Sequence, residues 1–131
     1  MSRISLTLDE IHAIAHAAMV KNGCDEANAD VLADIVMRAE RDGSHSHGLF
    51  RIPGYVKALR SGKVDGTARP MVTRRTPAVI QCEGHGCFAP IAQATALPVL
   101  AEAAAEIGVA ALSLTGIHHF AALWPDRKSV V

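Results

Sequence analysis

Neither sign of charge is in excess: 13 lysines and arginines balance 13 aspartates and glutamates over 131 residues, and neither forms a long block. A nucleic-acid surface needs a basic stripe and an anionic membrane surface a polybasic segment, so both partner classes are excluded. No apolar run approaches the roughly 20 residues of a membrane helix. The start Met1-Ser2-Arg3-Ile4-Ser5-Leu6 also lacks an apolar signal core, so a cytoplasmic protein with no membrane partner is expected. Cysteine is sparse. Cys24, Cys82 and Cys87 are odd in number and have no metal-like repeat, which points to reduced, buried thiols. The chain also has no G-x-G-x-x-G, no Walker lysine loop, no H-E-x-x-H and no internal repeat.

What is present reads as one small domain's length of alternating helical and strand patterns, half of it hydrophobic. Thr7-Leu8-Asp9-Glu10 is a capping box that starts a helix with Ile11, Ile14, Ala15 and Ala18 on one face and Gly23 at its end. A second helix from about Asp25 buries Val31, Leu32, Ile35, Val36 and Ala39, turns Asp30, Asp34, Arg38 and Arg41 outward, and stops at Gly43. A short third begins at Pro53, with Val56 and Leu59 inward, and ends at Gly62. From Lys63 the chain changes character. Met71-Val72-Thr73 and Ala78-Val79-Ile80-Gln81-Cys82 read as strands, an alanine-rich helix runs from about Pro90 to Glu106, and Val109 to Leu114 reads as a buried strand. This is a β-α-β unit, with a kink or break expected at Pro98.

The chemistry concentrates in Asp42-Gly43-Ser44-His45-Ser46-His47-Gly48-Leu49-Phe50-Arg51, between two helical patterns. An imidazole moves protons near neutral pH, and a guanidinium fork binds a carboxylate through two parallel hydrogen bonds. Were this segment one helical turn, His47 and Arg51, four residues apart, would share a face, and Ser46 would be the N-cap with its hydroxyl free to act. The bland alternative makes Ser46 a simple cap and His47 an exposed loop residue. His45-x-His47 and His118-His119 also supply nitrogens suited to zinc, but no carboxylate or cysteine pair accompanies them, and no metal is expected. His12 and His16, one helical turn apart, read as exposed helix surface. Gly84-His85-Gly86 reads as a tight turn rather than a phosphate loop.

Three blocks carry a family resemblance. Asp42 to Pro53 resembles the S-H-G-x-x-R segment of the type-2 malate/L-lactate dehydrogenase family, which includes ureidoglycolate, sulfolactate and cyclic-imine reductases. Glu83-Gly84-His85-Gly86-Cys87-Phe88-Ala89 is similar to its D-G-x-x-G-F segment, and Gly116 to Trp124 to its N-x-H-F-G segment. The resemblance runs to about Asp126. Glu83 stands in place of the usual aspartate, while Cys87 and Ala121 stand where relatives have glycine.

That resemblance implies an α/β protein: an N-terminal helical subdomain, residues 1–62, followed by the opening β-α-β part of a non-Rossmann NAD(P)-binding domain, residues 63–131, truncated relative to family members. It implies a homodimeric oxidoreductase moving a hydride between NAD or NADP and a small carboxylated substrate, a 2-oxo acid or a related imine. His47 would handle the proton, Arg51 the carboxylate, Ser46 a polar contact, and His119 would line the substrate and nicotinamide pocket. The chain alone is expected to be inactive. The competing expectation is a non-catalytic remnant that acts as an oligomerisation module through an open strand edge.

Overall fold

The computed structural model describes residues 3–118, an α/β arrangement in which helices precede a small sheet. The first helix, α1 (Leu8–Lys21), starts with the expected reciprocal cap: Thr7 Oγ1 accepts the Glu10 N–H at 3.2 Å, and Glu10 Oε2 accepts the Thr7 N–H at 2.7 Å. The Thr7 N–H, and the Thr7 hydroxyl that also donates to Oε2, hold the Glu10 carboxyl below its usual range. Helix α2 (Glu26–Arg41) is capped by Asp25, whose carboxylate accepts the Asn28 N–H at 2.9 Å. That bond, aided by the Arg69 guanidinium, lowers the Asp25 pKa.

The buried stripe of α2 holds Leu32, Ile35, Val36 and Ala39 as expected, with Asn28, Ala29 and Ala33 added and Val31 only half-buried. In α1 the stripe is Ile11, Ala15 and Met19, one residue every four. Ile14 instead lies 47% exposed and Ala18 half-buried. Helix α1 packs against α2 and against the helix Ile52–Arg60, and its buried residues form an i, i+4 row that leaves the i+3 position aside. His12 and His16 are likewise not free surface. Their Nε2 atoms meet Asp30 at 3.2 Å and Glu26 at 3.1 Å across the α1–α2 seam, with the two rings stacked.

After α2 come two short 3-10 turns, His45–His47 and Leu49–Arg51, and then α3 (Ile52–Arg60). Tyr55, Ala58 and Leu59 face inward from α3, and Val56 is half-buried. The following loop is sewn to α2 by Asn28, whose Nδ2 donates to the carbonyls of Gly66 (2.9 Å) and Ala68 (3.1 Å).

Strands β1 (Met71–Arg74), β2 (Val79–Phe88) and β3 (Ala111–His118) form a sheet ordered β1-β2-β3. The β1–β2 pair is antiparallel. β2 and β3 are parallel, from Val79 opposite Ala111 to Phe88 opposite His118, and are joined by α4 (Ala89–Ile107) packed on both. The expected β-α-β unit is therefore present, with a longer first strand and a second that starts two residues later than its sequence pattern indicates. Helix α4 runs unbroken across Pro98, so the expected break does not occur.

Gly84-His85-Gly86 lies not in a turn before a helix but in an irregularity inside β2, where the register with β3 slips between Glu83 and Cys87. The extra length is absorbed by positive φ at His85 (52°) and Gly86 (84°). All three cysteines are free and buried. One apolar cluster draws Met19, Leu32, Val36, Tyr55, Cys82, Phe88 and Ile91 together, so helices and sheet share a core beneath the double turn.

Candidate functional site

The segment carrying His47 and Arg51 is held in two tight turns hinged at Gly48, not in one α-helical turn. Ser46 is therefore not an N-cap. Ser44 occupies the cap position and makes no capping bond to the backbone. The two serines are spent on the imidazole: His47 Nδ1 lies 3.1 Å from Ser46 Oγ and 3.4 Å from Ser44 Oγ. Nδ1 thus faces the two serine hydroxyls, while Nε2 makes no hydrogen bond among the described residues. Arg51 folds back so that its Nε donates to the Ser46 carbonyl at 2.8 Å. Its two Nη groups make no hydrogen bond among the described residues, and they leave an end-on fork open. The structure thus brings Ser46, His47 and Arg51 together through backbone and hydroxyl contacts that helical spacing does not anticipate. His119 lies outside the described residues.

Two residues that the sequence reading passes over complete the surroundings. Glu40, in the last turn of α2, accepts the Leu49 N–H at 2.8 Å and meets His45 Nδ1. A carboxylate at that end of a helix opposes the macrodipole, which is the one signal the sequence offers for it. Tyr55, one turn into α3, is fully buried with its ring edge-on to Phe88 at 5.0 Å. Phe88 in turn faces the His118 ring at 6.2 Å. The fold thereby joins segments far apart in sequence: α3, which follows the double turn, the end of β2 and the end of β3.

Burial pushes the Tyr55 hydroxyl up to about 12, and the Arg51 guanidinium pulls weakly the other way. Tyr55 is the chain's one tyrosine, so its ionisation is read directly from phenolate absorbance. The expected midpoint lies near 12 rather than near 10. Because the unfolded chain loses this proton first, the contribution is intact below pH ~10 and stability falls as pH rises from there toward the folded value. A reversible midpoint near 10 in the folded protein would show that the ring is not buried.

The remaining candidates are structural. Glu83 accepts from Thr115 Oγ1 at 2.8 Å and from the His85 N–H at 3.1 Å, which lowers its pKa and pins the β2 irregularity to β3. Burial raises the pKa of Cys24 to about 11 and also raises those of Cys82 and Cys87, so none is an activated thiol. Among the described residues, no three His, Cys, Asp or Glu side chains gather as a metal-holding group. No described helix is long and apolar enough to cross a membrane.

The profile of the malate/L-lactate dehydrogenase family matches residues 6–131. A Δ1-pyrroline-2-carboxylate reductase from Ancylobacter novellus is 43% identical over 98% of this chain and 38% of its own length. A Δ1-pyrroline-2-carboxylate/Δ1-piperideine-2-carboxylate reductase from Pseudomonas syringae pv. tomato is 50% identical over 82% of this chain and 31% of its own. Among solved structures, sulfolactate dehydrogenase from Methanocaldococcus jannaschii superposes with a TM-score of 0.86 over 95% of this chain and 37% of its own, at 22% identity, a likeness of fold. The chain thus spans about a third of the length of the curated relatives it matches. On the family match across nearly all of its residues, this chain belongs to the malate/L-lactate dehydrogenase family of oxidoreductases.

Proposed function

We propose that this chain contributes the substrate-binding and proton-handling groups of an NAD(P)H-dependent reductase acting on a small carboxylated C=N or C=O compound, with a cyclic imine carboxylate as the first candidate. The observation that carries the reading is the pairing, within one double turn, of an imidazole Nε2 and a guanidinium Nη fork that make no hydrogen bond among the described residues. A ring carboxylate such as Δ1-pyrroline-2-carboxylate presents an anion and a proton-accepting nitrogen close together. Arg51 would take the carboxylate in the fork while His47, as the imidazolium with its Nδ1–H on a serine oxygen, gives its Nε2 proton to the imine nitrogen or carbonyl oxygen and is left neutral. Reductases of that substrate class among the relatives support the choice.

When bound, the nicotinamide supplies the hydride. Among the described residues, β2 enters α4 through Phe88, Ala89 and Pro90 with no glycine-rich phosphate loop between them. His119 is assigned to the pocket lining, and the whole protein to a cytoplasmic homodimer, on the family resemblance.

The test is steady-state oxidation of NADH and NADPH with Δ1-pyrroline-2-carboxylate and with pyruvate, in a chain of full family length carrying this segment. Arg51→Lys should mainly raise KM for carboxylated substrates, by about 1–3 kcal/mol, because a point charge cannot reproduce the planar fork. Equal loss with an uncharged analogue would make Arg51 structural.

A second reading rests on the sheet order: among the described residues β3 pairs only with β2, and its other edge can receive a strand. In that case the chain is an oligomerisation module, and it should self-associate without cofactor in sedimentation over a concentration series. Saturable NADH binding by a chain of full family length decides for the enzyme.

A further inference from the structure

We propose that Glu40 is a positioning residue for the double turn, holding His47 and Arg51 in register from the end of α2; the inference rests on the functional reading above. Its carboxylate is only 16% exposed. Oε1 accepts the Leu49 N–H at 2.8 Å, the first amide of the second turn, while Oε2 meets His45 Nδ1 at the start of the first. One side chain therefore ties both turns to α2, on either side of the Gly48 hinge.

Gly48 is part of the same device. A Cβ there would overlap the Glu40 side chain, with Cδ at 2.5 Å and Cγ at 2.7 Å. A side chain at position 48 therefore displaces the carboxylate from the hinge. The Ser44 N–H also donates to the Ala39 carbonyl at 2.8 Å, so the turn leaves α2 along a fixed path. Arg51 Nε then closes onto the Ser46 carbonyl at 2.8 Å, which makes the guanidinium's direction depend on a first turn that Glu40 anchors. The nearby Asp42 carboxylate, hydrogen-bonded to Arg41 and not to the turn, serves as a matched control.

The test uses NMR on the 131-residue chain. Glu40→Ala should speed exchange of the Leu49 amide about tenfold or more and move the His47 ring resonances, while helices α1 and α4 keep their protection. Glu40→Gln keeps an oxygen for the Leu49 N–H and should retain most of the protection. Gly48→Ala leaves the carboxylate in place chemically but displaces it, and should resemble Glu40→Ala. Asp42→Asn should change neither signal.

Pyrrole-2-carboxylate, a planar ring carboxylate, should shift the Arg51 Nε resonance, with affinity lowered about tenfold in Glu40→Ala and unaltered in Asp42→Asn. Wild-type Leu49 exchange and His47 resonances in Glu40→Ala would overturn the proposal. So would equal loss in the glutamine variant. If Glu40→Ala does not fold, an unchanged Leu49 amide in Gly48→Ala overturns it instead. No response of Arg51 in the wild-type chain counts against the functional reading alone, because the Leu49 amide decides the role of Glu40 independently.

Discussion

Replacing His47 with alanine, in a chain of full family length, should lower kcat about 10²–10⁴-fold while leaving KM within about threefold. A group that donates its proton only as the C=N or C=O bond is reduced stabilises the transition state and not the bound substrate, so its removal appears in turnover. On the proposed function the donor atom is Nε2, because Nδ1 faces the Ser44 and Ser46 hydroxyls. Losing Ser46 alone should cost less, about 1 kcal/mol, because Ser44 Oγ still faces the same nitrogen. Measuring kcat from pH 5 to 9 checks the assignment. Turnover that is unchanged across that range in His47→Ala removes the imidazole from the mechanism.

Asn28→Ala should be the most destabilising of the conservative changes outside the site, at about 2–3 kcal/mol by denaturant unfolding. The side chain is buried, its Nδ2 satisfies the Gly66 and Ala68 carbonyls, and its Oδ1 accepts from Arg69 Nη1 at 3.2 Å. Truncation leaves carbonyls in the protein interior with fewer partners and frees the loop that leads to β1. By contrast, Asp34→Ala removes a half-exposed i, i+4 pair with Arg38 and should cost under about 1 kcal/mol. Comparable midpoints for the two variants would show that the Asn28 bonds do not hold the loop.

The elements that local chemistry specifies are legible in the amino-acid sequence itself. The Thr7–Glu10 cap, the α2 stripe and the β2-α4-β3 order follow from capping groups and apolar periodicity, signals carried within a few residues of each element. The proximity in sequence of His47 and Arg51, and the blocks that mark the family, are equally local. Tertiary structure decided the rest. Which i+3 or i+4 neighbour is buried in α1 depends on where α2 and α3 lie, and that left Ile14 exposed.

The run from Ser44 to Arg51 carries no periodicity that distinguishes one α-turn from two 3-10 turns. The choice falls to Glu40, a carboxylate nine residues before the amide it binds. Gly84-His85-Gly86 has the composition of a turn. Pairing with β3 on either side of it, and the Glu83–Thr115 bond across 32 residues, hold it as an irregularity within a strand instead. Local propensity determined where elements could form. Long-range hydrogen bonds and shared burial, which no window of sequence contains, decided how the site residues are aimed.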